Sequence, residues 1–180
     1  MVSVIHKRET PTGLDKTLQS VQKDLYNYLL QKWNGPIQAS GRVYRNPRNG
    51  DVVPERWNGK GYEEVYFDDS YSASFFFIDD STHDSADGLV FAAKVKLVVL
   101  IDLNKIKAPS PERLDEEARK EVVSYLRDIT DGRYIITGLQ KGVDTVFAGF
   151  DKSKIRLTDM HPKHTFAVQM TVYYELDECT

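Results

Sequence analysis

The sequence predicts an α+β fold: a mainly antiparallel sheet with two amphipathic helices packed on one face, plus an extended arm. Three observations predict it. Residues 164–176 read HTFAVQMTVYYEL, with Phe166, Val168, Met170, Val172, Tyr174 and Leu176 apolar at alternate positions. Successive strand side chains point to opposite faces, so this run buries one face and shows Thr165, Gln169, Thr171, Tyr173 and Glu175 on the other. Residues 89–102, LVFAAKVKLVVLID, repeat the pattern through Phe91, Ala93, Val95, Leu97, Val99 and Ile101. These two strands are expected to centre the sheet. Third, apolar residues recur at three- and four-residue spacing in two other stretches, which is the period of a helix with one buried stripe.

The chain has 180 residues, a formal net charge of -3, 41% hydrophobic and 28% charged residues. That size and balance suit one domain, 1–180, that buries a core without disulfides or metals. The net charge gives no global attraction to nucleic acid, although a local basic patch is compatible with it. Cys179 is the single cysteine, so no disulfide forms within the chain, and an exposed tail thiol is expected. The N-terminal residues lack the apolar run of a signal peptide, and no segment approaches the roughly 18 apolar residues of a membrane helix. A soluble, unexported protein is the expectation.

In chain order, Leu14, Leu18, Val21, Leu25, Tyr28 and Leu29 predict a first helix ending near Trp33, with Asn34-Gly35-Pro36 stopping it. Its aromatic residues Tyr26, Tyr28 and Trp33 read as packing groups. Residues 35–61 then hold five of the eleven glycines and three of the seven prolines, which predicts turns, a short strand over 41–45 and a protruding arm. The arm carries Arg42, Arg45, Arg48, Arg56 and Lys60 beside Tyr44 and Trp57, opposed by Asp51 and Glu55. Arginine interleaved with aromatics suits phosphate and base contacts, yet protein interfaces enrich the same residues, and the interface or solvated-loop reading is preferred.

Residues 62–68 and 72–78 read as two strands of a hairpin joining the sheet. The following stretch, 79–88, holds Asp79, Asp80, Asp84, Asp87 and His83 and reads as an acidic hairpin tip. Its acids do not fall at the alternate positions of a calcium loop. Ser110-Pro111-Glu112 suits the start of a second helix, with Leu114, Ala118, Val122, Tyr125, Leu126 and Ile129 as its buried stripe. Residues 134–137 and 143–147 are short strand candidates, and another is expected near 155–157.

No catalytic signature emerges. His161 and His164 are close in sequence but lack further zinc ligands nearby, and Cys179 in a tail lacks the fixed geometry of a nucleophile. No nucleotide-binding loop, serine-hydrolase elbow or metalloprotease helix motif occurs. The expectation is a non-enzymatic protein with no cofactor and no metal.

The order of an N-terminal amphipathic helix (14–33), a long arm, long hairpin strands (62–102), a second amphipathic helix (111–129) and a closing strand FAVQMTVYYEL resembles the tail-terminator and tail-completion proteins of tailed bacteriophages. The likeness covers most of the chain as element order and texture. It implies an α+β subunit of a homo-oligomeric ring, a hexamer or larger, at the head–tail junction of the virion. Such a ring assembles in the host cytoplasm and contacts neighbouring neck and tail proteins. It also implies assembly in place of catalysis, with no membrane partner and with DNA passing through without specific binding. The arm residues Arg42, Tyr44, Arg45, Arg48, Arg56 and Trp57, together with Thr171 and Tyr173 on the polar face of the closing strand, are then candidates for the subunit interface. Asp79, Asp80, Asp84 and Asp87 are candidates for an acidic loop facing the channel. The alternative is a small nucleic-acid-binding module using the basic arm.

Overall fold

The computed structural model describes residues 2–155 and 160–176, with the side chains of Ser81 and Asp87 outside the description. The elements in order are β1 (Val4–Ile5), α1 (Gly13–Lys32), β2 (Ile37–Arg42), β3 (Tyr44–Arg48), β4 (Asp51–Trp57), β5 (Tyr62–Glu64), β6 (Ala73–Asp87), β7 (Val90–Asp102), α2 (Leu103–Ile106), α3 (Leu114–Asp128), β8 (Tyr134–Lys141), α4 (Val143–Val146) and β9 (Lys163–Glu175). This is an α+β chain with two sheets. The larger has the order β1-β2-β6-β7-β9-β8 and the smaller the order β3-β4-β5.

The two strands with the clearest alternation lie side by side at the centre. β7 and β9 pair antiparallel from Val90↔Glu175 to Asp102↔Lys163 without a register shift. β6 and β8 flank them, also antiparallel. At the other end β2 runs parallel to β6, and β1 parallel to β2, so the large sheet is mixed. β1 and β2 run parallel because α1 carries the chain back to the same end of the sheet between them, as any helical crossover does, whereas β2 and β6 are joined through residues 43–72, which include the small sheet.

The core has two parts, one on each face. One joins Leu18, Val21, Leu25 and Leu29 of α1 and Ala118, Val122 and Leu126 of α3 to Phe75, Phe77, Leu97, Val99, Phe166, Val168 and Met170 of the sheet. Tyr28 of α1 stacks on Tyr125 of α3 with ring centroids 4.0 Å apart. The second part joins Phe76, Ile78, Val98, Leu100 and Ala167 on the opposite face to Val43, Val65, Val143, Val146, Phe147 and Phe150. At this end of the sheet both faces are dry, so residues 97–101 are all buried, and burying each such Leu, Val or Phe side chain stabilises the fold by ~1.5–3 kcal/mol. Toward the β6–β7 turn one face is bare, and Lys94 is exposed there.

Several expectations are corrected. Residues 79–87 are strand, not a loop: β6 runs to Asp87 and the turn falls at Gly88 and Leu89. Pairing with β7 holds this acidic segment extended, with Asp84 opposite Ala92, and Asp80 and Asp84 stay in water along the exposed edge. The arm is not irregular, since β2 belongs to the large sheet and β3 and β4 form a hairpin through Asn49 and Gly50, both at positive φ. Residues 62–64 pair with β4 in the small sheet and not with β6. The second helix begins at Leu114, because Ser110 Oγ accepts from Glu112 N at 3.1 Å and closes a turn ahead of it. Residues 143–146 are helical because Val143, Val146, Phe147 and Phe150 follow helical spacing and all reach the second core. Ile155 lies in a turn, while the rest of the strand expected there, and Cys179, lie outside the described residues.

Candidate interaction surfaces

The N-terminal segment is strapped across the start of α1. His6 N donates to Ala39 O at 2.8 Å, Gln22 Nε2 donates to His6 O at 3.0 Å, and Gln19 exchanges two hydrogen bonds with the Arg8 backbone. Between this strap and the small sheet runs an open groove of about 1220 Å³, whose lining includes Arg42, Tyr44, Arg45, Arg56 and Trp57 of the arm. Five of the six arm candidates therefore meet in one place. Arg48 does not: it lies beside the β3–β4 turn and its guanidinium bonds to Glu55.

The charges of the groove are largely satisfied from within. Arg42 donates through Nε to Asp15 at 2.6 Å and through Nη1 to Asp79. Burial opposes the charge on Arg42, but the bonds and attraction of these two carboxylates outweigh it and raise its pKa. Arg8 adds a further ion pair to Asp15. Arg48 and Asn46 both donate to the buried Glu55, at 2.8 and 2.7 Å. Burial alone would raise the Glu55 pKa; those donors more than reverse it and hold the carboxyl below its ordinary value. Arg56 pairs with Glu63 at 2.8 Å and lies 3.1 Å from His6 Nδ1. Burial first, and then the Arg56 charge, lower the His6 pKa. Since guanidinium only donates, Nδ1 accepts and the His6 proton sits on Nε2. Arg45 lies over the Phe150 ring, 4.6 Å from its centroid. Among the described residues no carboxylate pairs with Arg45 or Lys60.

The rim of the groove is aromatic. Tyr44, Tyr62 and Trp57 are 42%, 47% and 53% exposed, and they touch edge to face, with centroids 5.4 and 5.2 Å apart. The register of the small sheet makes this cluster, since Trp57 faces Tyr62 across β4 and β5. Sequence reasoning missed Tyr62, which it placed in a different sheet. It also missed Arg8, Asp15 and His6; an aspartate in the first turn of a helix reads as a complement to the helix dipole, and nothing local signals a distant arginine.

The remaining candidates lie elsewhere. Thr171 and Tyr173 are half-buried on the bare face of β9, opposite Lys94 and Ala92 of β7. Asp79 faces the groove and is tied to Arg42, so it is separated in role from Asp80 and Asp84, which are exposed farther along β6. Asp87 ends the strand. His83 Nδ1 lies 2.6 Å from the Tyr174 hydroxyl.

Among the described residues, two long stretches of strand edge in the large sheet have no neighbouring strand. β8 pairs with β9 alone. The short β2 covers β6 only from Ala73 to Phe77, and beyond that point β6 pairs with β7 alone.

Among the described residues, no group of three or more His, Cys, Asp or Glu is placed to hold a metal ion, and no helix is long and apolar enough to cross a membrane. The rings of His161 and His164 contact edge to face, 6.4 Å apart. No protein-family model matches the chain, and no curated protein matches it in sequence.

Proposed function

We propose that the chain is a structural virion protein that closes a homo-oligomeric ring, hexameric or larger, at the head–tail junction of a tailed phage. In this reading two helices back one face of the sheet, and the ring completes the tail and joins it to the neck. The observation that carries it is the imbalance in the arm: three of its cations, Arg42, Arg48 and Arg56, are neutralised by carboxylates of the same chain, while three aromatic rings stay half-exposed at the rim. Exposed Tyr and Trp beside Arg45 are what the centre of a protein interface uses. Internally paired arginines contribute little to phosphate binding. Asp80 and Asp84 are the acids available to line a lumen through which DNA passes without sticking.

The test is the oligomeric state by mass photometry and negative-stain imaging, for the natural chain and for a Tyr44→Ser/Trp57→Ser variant. Both side chains are exposed, so the variant folds. A defined ring that weakens in the variant supports the proposal; a chain monomeric at every concentration refutes it. The second reading, a nucleic-acid module, draws on the two arm cations that have no carboxylate partner among the described residues, Arg45 and Lys60. With two phosphate contacts the slope of log affinity against log salt is about -1.8. A steeper slope, abolished by Arg45→Ala/Lys60→Ala, would favour that reading over ring assembly.

A further inference from the structure

We infer that β8 of one copy pairs antiparallel with the outer, acidic half of β6 in the next copy, so that the ring is sewn together by main-chain hydrogen bonds between sheet edges. The inference rests on the ring reading and names its contact.

β8 carries one irregularity, a register shift against β9 between Ile136 and Gly138, and otherwise lacks the devices that keep an edge strand from pairing. Such strands are normally blunted by a lysine at mid-strand, a proline, or a covering loop. From Tyr134 to Gln140 the strand is YIITGLQ, without charge or proline, and Ile135 and Leu139 are 56% and 50% exposed. The charges that bound it, Arg133 and Lys141, are both basic and both paired within the chain, to Asp24 at 3.5 Å and to Glu116 at 2.8 Å.

The second open edge is its complement. Residues 79–87 read DDSTHDSAD, with four acids and no Lys or Arg; Asp79 is tied to Arg42, and the strand shifts register against β7 between Asp79 and His83 and between Ser85 and Asp87. Two copies of β8 set against one another would bring Arg133 near Lys141, whereas the acidic edge of β6 sets no like charge against either. The two edges also match in direction. β6, β7, β9 and β8 alternate in direction across the sheet, so the two edges bound a block of four strands and run in opposite directions. A neighbour placed in the same orientation then meets β8 with β6 antiparallel, the stronger pairing for short strands. An unlike pair of edges makes a heterologous contact, the kind that closes rings; β8 against β8 would stop at a dimer.

The experiment uses the full chain. Ile135→Glu sets a carboxylate against the acidic edge and is expected to raise the concentration at half-assembly at least tenfold. Ile135→Lys is expected to raise it much less, and adding Asp84→Lys to Ile135→Glu is expected to restore assembly. In a Cys179→Ser background, an equal mixture of Ile135→Cys and Asp84→Cys, or Ile135→Cys and Thr82→Cys, should form intermolecular disulfides on mild oxidation. Neither variant alone should do so. Rings that persist in Ile135→Glu with no disulfide in either mixture would overturn this contact and leave the ring reading standing. Assembly that stops at a dimer, with Glu and Lys equally disruptive, would overturn it in favour of β8 against β8. A natural chain monomeric throughout would overturn both.

Discussion

Replacing Asp15 with Asn should loosen the groove and release charge into it. The Asp15 carboxylate takes hydrogen bonds from Arg42 Nε at 2.6 Å and Nη2 at 3.2 Å, and from Arg8 Nη1. Asn keeps the shape but offers donors where the guanidinium groups also donate. Breaking a fully buried pair by removing one partner costs about 3–5 kcal/mol. Arg42 keeps Asp79, its side chain is 30% exposed and that of Arg8 58%, so solvent screening reduces the expected loss to about 1–2 kcal/mol. For a chain of 180 residues this lowers Tm by roughly 3–6 °C. The same substitution leaves Arg8 unpaired and Arg42 half-paired at the groove. Arg8 together with Arg45 and Lys60 makes three cations able to meet phosphate, and the salt slope of DNA binding should steepen from about -1.8 toward about -2.7. Thermal melts followed by circular dichroism read the first effect, and DNA titrations across a salt series read the second. An unchanged Tm together with an unchanged slope would refute the argument that Asp15 holds these cations.

Tyr134→Phe removes the hydroxyl that donates to Leu126 O at 2.6 Å, in a site where burial pushes the phenol up to about 12; the expected loss is about 1–2 kcal/mol in urea unfolding. His6 has a pKa below its ordinary 6.5, so the unfolded chain binds the proton more readily. Its contribution is full above pH 6.5 and lost as pH falls toward the folded value. Amide exchange at His6, corrected for its intrinsic rate, should therefore speed up at low pH while exchange within β7 does not. Gly35 has φ +74, and an added Cβ would lie 1.9 Å from Ser72 Oγ. Gly35→Ala should cost at least about 1–2 kcal/mol by backbone strain alone, and Ser72→Gly in the same chain should recover the steric part but not the strain.

The helices and the two central strands were legible because each buries a face with its own period. Leu18, Val21, Leu25 and Leu29 mark α1, and Phe166, Val168, Met170 and Val172 mark β9. The second core was also written in the sequence and not read there: FFFI at 75–78 and LVVLI at 97–101 are unbroken apolar runs, which signal burial on both faces. Likewise Val143, Val146, Phe147 and Phe150 carry helical spacing that a strand reading overlooks. The acidic half of β6 is different. Nothing in DDSTHDSAD favours a strand, and only pairing with β7 imposes one.

The candidate surfaces were legible as residue types and not as an arrangement. The sequence by itself determined the α+β class, the two helices, the central strands and an arm rich in arginine and aromatics, because periodicity and composition are local properties. Tertiary structure alone decided that β2 lies parallel to β6, that Tyr62 joins Tyr44 and Trp57, and that Asp15 and Asp79, 64 residues apart in numbering, clamp one arginine. It also decided which cations of the arm meet a carboxylate among the described residues. Whether an arginine is neutralised depends on a carboxylate brought within about 3 Å by the packing of other elements, and no local pattern encodes that distance.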